Sequence, residues 1–308
     1  MSIAAAESPF SRIGPGAGEP GVFYAGLPLL AGEAGEGLFG AVRPAGRMGP
    51  VALFQAEGWL LGAATVPLAL GLEDAARRLY RNIFKAAREW HLARIWNYVP
   101  AINEPGHESL ENYRVFCRGR SLAFEKFYGD GFRARLPSSS AVGTKSAALT
   151  VAFAACRVRP RHVENPLQIP AYDYPGEYGP RAPCFARATV VPEADRATVF
   201  ISGTAAIRGH LTVFPNATRK QLDCTLENLR GISVACGLGP GLDRGGNSMR
   251  HFKVYLRRAA DQPLVAATLE KRFLSKMDRV SYFRADLCRT ELRVEIEASL
   301  VGVTALRV

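Results

Sequence analysis

An order of patterned segments that occurs twice constrains this chain more than any single motif. Val51–Phe54 and Trp59–Val66 are apolar runs separated by Gln-Ala-Glu-Gly, which reads as a β-hairpin. From Leu72 to His91, residues Leu72, Ala75, Ala76, Leu79, Ile83, Ala86, Ala87 and Trp90 form one helical stripe. Arg77, Arg78, Arg81 and Arg88 fall mostly off it, on a solvated face. A strand over Ala93–Val99, a helix from about Glu108 to Phe127 and a buried strand over Ala147–Cys156 follow. The order then returns. Ala186–Val191 and Thr198–Ile207 make a hairpin, and Asn216 caps a helix running through Cys236, with Leu222, Leu226, Leu229 and Ile232 on one side. His251–Arg257 reads as a strand, Pro263–Met277 as a helix, and Val280–Leu287 and Glu291–Leu300 as strands. Each half is hairpin, helix, strand, helix, strand, a unit that makes a mixed sheet with two helices on one face. The expectation is an α+β fold of two similar domains, 1–156 and 157–308. The first fifty residues or so, rich in Gly, Pro and Ala, form an irregular lead-in with one or two short strands.

Composition narrows the function class. No apolar run approaches the roughly 18–20 residues that span a bilayer, and the first residues lack a basic region followed by an apolar core. A cytoplasmic protein without membrane contact is expected. The six cysteines form no CxxC pair and have no histidine at zinc spacing, so neither a metal nor another cofactor is expected. The net charge of +11 comes from dispersed arginines without a lysine-rich run or an RNA-binding signature. That pattern favours a small dianion over nucleic acid.

Chemistry is expected in four stretches. Tyr172–Arg187 packs three tyrosines, three prolines and two glycines around Arg181 and Arg187, a shaped loop suited to an anionic ring. In Glu291–Glu297 the aliphatics Leu292, Val294 and Ile296 alternate with charged residues, so one sheet face is charged; it is either solvated or lines a cleft. Gly203, Ala205 and Ala206 in a strand leave room for a ring, or Gly203 marks a bulge. Tyr113 and Arg120 are seven apart on a helix and share a face, although Gly119 suggests that the helix is irregular or ends there. There is no P-loop; Gly143-Thr-Lys-Ser146 has only its tail. A GxSxG elbow is missing too.

Together the motifs resemble the chorismatase family. They are the run Tyr174 to Arg187, Asn112-Tyr-Arg-x-Phe-Cys-x-Gly-Arg120, Ser202-Gly-Thr-Ala205 and Cys288-Arg-x-Glu-Leu-x-Val-Glu295, with Trp96-Asn-Tyr-Val-Pro100 and Gln221-Leu-Asp-x-Thr-Leu-x-Asn-Leu229. The resemblance covers about residues 90 to 300. It implies an enzyme that removes pyruvate from chorismate, built from two domains related to the trimeric Rid-type imine-deaminase fold, with the site mainly in the second. It implies that Glu295 protonates the enolpyruvyl methylene carbon. Tyr113, Arg120, Tyr178, Arg181 and Arg187 would hold the carboxylates and polar edge. Cys288 with Gly203, Ala205 and Ala206 would shape the ring pocket, and a cysteine at 288 resembles the branch that makes 3-hydroxybenzoate, in some members with 4-hydroxybenzoate. The alternatives are hydrolysis to a dihydroxycyclohexadiene carboxylate or a Rid-type imine deaminase. A monomer or a homotrimer is expected. Leu167 and Cys184 depart from the arginine and serine expected there, and Leu-Thr-Val-Phe after His210 is less polar than expected. Cys288 and Glu295 are an odd number of residues apart, so both reach one pocket only if a turn or bulge falls near Arg289-Thr290.

Overall fold

The computed structural model describes residues 27–33, 39 and 42–304, so most of the expected lead-in lies outside the described residues. The strands of the first half are β1 (Leu29–Ala31), β2 (Arg43–Met48), β3 (Val51–Ala56), β4 (Trp59–Pro67), β5 (His91–Pro100), β6 (Ser138–Thr144) and β7 (Ala148–Cys156). Helix α1 (Leu72–Ala86) joins β4 to β5, and α2 (Asn112–Tyr128) joins β5 to β6. The second half has β8 (Arg161–Val163), β9 (Ala188–Glu193), β10 (Arg196–Ala205), β11 (Ile207–Arg208), β12 (Leu211–Thr212), β13 (Met249–Leu256), β14 (Arg279–Arg284) and β15 (Val294–Val303). Helix α3 (Thr218–Ala235) precedes β13, and α4 (Gln262–Arg272) joins β13 to β14.

The duplicated order becomes duplicated topology. One sheet runs β2-β3-β4-β7-β5-β6, and the other contains β8-β9-β10-β15-β13-β14 in the matching order. In both, the pair joined through the second helix, β5/β6 and β13/β14, is parallel, while the other pairs are antiparallel. β1 departs from the expected division: it comes from the lead-in but pairs with β14 at the edge of the second sheet.

Each sheet buries one face under its own helices. Leu72, Ala76, Leu79 and Ile83 of α1 join Phe116 and Phe124 of α2 against the first sheet. Leu222, Leu226, Leu229 and Ile232 of α3 pack on the second, as their stripe requires. The other faces meet in a shared layer that includes Trp96, Ala152, Tyr255 and Phe283. Burying about 150–250 Å² per aromatic makes such a layer a large part of the stability.

Several boundaries differ from expectation for local reasons. α1 stops at Ala86, and Trp90, past its end, still packs against the same core, with the Arg157 guanidinium 3.8 Å from its ring centroid. Gly119 neither ends nor bends α2. A Cβ there would lie 2.4 Å from the Glu73 carbonyl oxygen, so glycine lets α1 and α2 approach closely. Asn216 is not the cap of α3: its φ is +61°, its amide donates to the Glu291 carbonyl, and Ala217 occupies the cap. β6 was not expected. It begins with three serines and carries no apolar pattern, yet every residue is buried. α4 ends at Arg272, β14 at Arg284, and β15 begins only at Val294.

Candidate active site

The early end of β14 and late start of β15 leave a turned segment from Ala285 to Arg293. Arg257, just past β13, holds it: Nε donates to the Leu292 carbonyl at 2.9 Å, and Nη2 donates to those of Leu287 and Arg289 at 3.2 and 3.0 Å. The same guanidinium donates to Asp286 Oδ1 and to Asn103 Oδ1 of the first half. Gln221 of α3 braces the segment's far end. Its Nε2 donates to the Glu291 carbonyl at 2.8 Å, and its Oε1 accepts the Arg293 amide at 2.7 Å. The turn removes the parity conflict: Cys288 Sγ lies 4.0 Å from Glu295 Oε2, with the thiol as donor.

Glu295 is 3% exposed and faces the layer between the sheets. Its seat is the β10 irregularity between Ile201 and Thr204, where the pairing with β15 shifts register. A Cβ on Gly203 would lie 2.0 Å from Glu295 Oε1, so the carboxyl occupies the space a side chain would need. Ser202 fixes the irregularity, donating from Oγ to the Ala186 carbonyl at 2.6 Å and accepting the Ser139 amide at 2.8 Å. Asn228 of α3 donates to the carbonyls of Ala205 and Ile207, both at 2.9 Å, and so holds the end of β10.

Glu295 opens onto a cavity of about 370 Å³ between the start of α2 and the second sheet. That volume is within the range of small-molecule sites. Tyr113 and Arg114 come from α2; Tyr174, Tyr178, Phe185 and Arg187 come from the proline-rich loop; Cys288 and Arg289 come from the turn. Arg187 Nη2 donates to the Tyr174 hydroxyl at 2.8 Å and to the Ile169 carbonyl at 3.1 Å. Arg289 Nη1 donates to the His210 carbonyl at 2.8 Å and to Thr212 Oγ1 at 3.0 Å, with its guanidinium over the Tyr178 ring. Neither guanidinium pairs with a carboxylate among the described residues, whereas Arg114 faces Glu111 at 3.7 Å. The wall therefore holds two fixed cations in need of anions.

Protonation states follow from burial. Glu295 is pushed up to about 8, first by burial and then by the charge of Glu297, against the pull of Arg94 and Arg187. Burial, and then Glu295, push the Cys288 thiol up to about 12, so it stays neutral. Burial also raises Tyr113 well above the ordinary phenol range. Glu297 behaves oppositely. Burial would raise it, but Arg94 and Lys253 outweigh burial and hold it ionised.

A family model described as "Chorismatase FkbO/Hyg5-like, N-terminal" matches residues 40–155. A 3-hydroxybenzoate synthase of Streptomyces hygroscopicus is 38% identical over 250 residues, covering 76% of this chain and 72% of that protein. The chain belongs to the chorismatase family. A chorismatase of Streptomyces rapamycinicus is 37% identical over 256 residues, 80% of this chain and 76% of that one. A chorismatase crystal structure superposes with a TM-score of 0.75 at 33% identity, covering 84% of this chain and 80% of the other.

Of the residues singled out from the sequence, this chorismatase-family fold brings Glu295, Cys288, Tyr113, Tyr178, Arg187, Gly203 and Ala205 to one cavity. Three lie elsewhere. Arg120 is buried behind Tyr113, its guanidinium over Phe116 and 3.9 Å from Cys117 Sγ, because its turn of α2 faces the helix-covered core. Arg181 points away and pairs with Glu125 at 3.0 Å, both partners well exposed. Ala206 is fully buried and packs in the shared layer, next to Ala205 but outside the cavity wall. The sequence reading missed Arg289 as a cation of the wall and Arg257 as the brace behind it. Arg289 was in view within the Cys288-Arg-x-Glu motif, and its place in a turn was the available signal. Nothing local marks Arg257.

No helix among the described residues is long and apolar enough to cross a membrane.

Proposed function

We propose that the chain cleaves chorismate to 3-hydroxybenzoate and pyruvate, with Glu295 as the acid that protonates the enolpyruvyl methylene carbon. The observation that carries this is a buried carboxyl, pushed up to about 8 by burial, facing a cavity whose wall holds the Arg187 and Arg289 guanidinium groups. Vinyl-carbon protonation needs an acid of that kind, and a general acid with a pKa near the working pH is the most effective. Chorismate carries two carboxylates. Arg187 and Arg289 supply charge-assisted hydrogen bonds worth about 1.5–3 kcal/mol each, with Tyr174 and Tyr178 beside them. The substrate's negative charge then favours the protonated form of Glu295 further.

Protonation makes an oxocarbenium-like centre. The ring carbon–oxygen bond breaks with its electrons moving to the ether oxygen, which leaves as the keto oxygen of pyruvate. As that bond breaks, the oxygen of the neighbouring ring hydroxyl bonds to the vacated ring carbon and gives its proton to the Glu295 carboxylate, forming an epoxide. The epoxide's bond to the hydroxyl's original carbon then breaks, and the hydrogen on the carbon that keeps the oxygen shifts to that neighbour. Loss of one ring proton there, with protonation of the oxygen, aromatises the ring. No water is consumed, since 3-hydroxybenzoate and pyruvate together contain all the atoms of chorismate. Cys288, a neutral thiol beside Glu295, fills the place where a water would otherwise attack and so favours aromatisation over hydrolysis. The two halves act as two domains in this reading, the first closing the cavity through Tyr113 and Arg114. A cytoplasmic monomer or homotrimer belongs to the same proposal, to be read out by fractionation and light scattering.

The test is incubation of pure protein with chorismate, with products separated by liquid chromatography. Pyruvate and 3-hydroxybenzoate in equal amounts are expected. The absence of both pyruvate and any benzoate overturns the proposal.

A further inference from the structure

We infer that Glu297 is a positioning residue for the proton donor: its buried negative charge, held in place by ion pairs to Arg94 and Lys253, offsets the pull of Arg94 on Glu295 and keeps it an acid. The inference rests on the chorismatase reading for its activity assay. Glu297 follows Glu295 by two residues on β15, so both carboxyls face the layer between the sheets, about 7 Å apart along the strand. Arg94 reaches across from β5 and donates from Nη2 to Glu297 Oε2 at 2.7 Å. Lys253, directly opposite on β13, places Nζ 3.3 Å from Oε1, and Trp96 Nε1 donates to the same oxygen at 2.9 Å. All three charged side chains are at most 3% exposed, so water screens none of them.

Other groups also face Glu295. Tyr255 is its partner on β13, and Cys288 comes from the turn. Gly203 comes from β10, and Arg187 comes from the loop before β9. Arg187 and Arg94 are the cations acting on it, and both favour its ionised form. Glu297 is a carboxylate bonded to both Arg94 and Lys253. Neutralising it removes a negative charge beside Glu295 and takes from Arg94, which already draws Glu295 towards its ionised form, its carboxylate partner, so the donor then ionises at lower pH. A residue that merely clamps the sheets together would have no such effect on Glu295.

The experiment is the pH profile of kcat/KM for wild type, Glu297→Gln and Lys253→Met. The glutamine keeps the shape and one acceptor oxygen, for either Trp96 or Arg94, while removing the charge. For Glu297→Gln, the basic limb should move down by about one unit or more. Below that limb, activity should return to within a few-fold of wild type. Lys253→Met removes one cation and leaves Glu297 on Arg94, so its limb should move up. Opposite shifts support the inference. A uniform loss at every pH in Glu297→Gln, or an unmoved or lowered limb in Lys253→Met, overturns it; the second result decides even if Glu297→Gln fails to fold. If wild type releases no pyruvate, the activity reading fails instead. The protonated-carboxyl infrared band of Glu295, assigned by its loss in Glu295→Gln, then reports the same shifts directly.

Discussion

Replacing Gly203 with alanine displaces the proton donor without touching it chemically. The new Cβ would lie 2.0 Å from Glu295 Oε1 and 2.8 Å from Cδ. Ordinary van der Waals contact is 3.4 Å or more, so the carboxylate oxygen must retreat by about 1.4 Å. It cannot retreat freely, because Glu295 is buried and Cys288 lies against its other oxygen. A misplacement of about 1 Å costs on the order of 10²-fold in rate, or about 2.7 kcal/mol. Overpacking adds about 1–3 kcal/mol of destabilisation. Gly203→Ala should therefore lower kcat for pyruvate release about 100-fold, with KM little changed and the protein still folded by thermal denaturation. A folded variant with wild-type kcat would refute the idea that the β10 irregularity seats the acid.

Other consequences can be checked with the same assay. Cys288→Ala should open space beside Glu295 and shift the product away from 3-hydroxybenzoate; chromatography showing an unchanged ratio removes its proposed role. Because Glu295 is raised to about 8, the acid form persists through neutral pH, and kcat/KM should fall tenfold per unit above that value. The stability sign is the same: the unfolded chain's glutamate ionises first, so the contribution of Glu295 is full below about 4.5 and lost as pH rises towards 8, which urea titrations across that window can follow. Arg187→Ala should cut kcat/KM by about 10- to 150-fold, the equivalent of one charge-assisted bond. Arg181→Ala breaks only an exposed pair with Glu125 and should change kcat/KM by less than about twofold.

These contrasts mark what the chain's own pattern could and could not disclose. The helices and most strands were legible because each has one apolar face against one core, as the α3 stripe shows. β6 was not, because Ser138, Ser139 and Ser140 are buried by hydrogen bonds to distant partners, among them Arg94, Asn97 and Ser202. The pocket's central pair was legible from parity: a spacing of seven from Cys288 to Glu295 demanded a turn, and the turn is there. Arg181 and Arg187 look alike in sequence, six apart in one rigid loop. Only packing separates them, since one meets Glu125 in solvent and the other is pinned by Tyr174 inside. Arg120 misled for the opposite reason. It shares a motif with Tyr113, yet its guanidinium is held over Phe116 in the helix-covered core. Arg94 and Arg257 carried no local sign at all, because Glu297 lies 203 residues from the first, and the second reaches Asn103 across 154.

The central claim, that Glu295 delivers the proton, is tested most directly by Glu295→Gln. The amide keeps the shape beside Gly203 and Cys288 and removes the acid. Pyruvate release from chorismate should fall by about 10²–10⁴-fold or more, with the dissociation constant for chorismate within a few-fold of wild type. Turnover close to wild type in that variant would contradict the account.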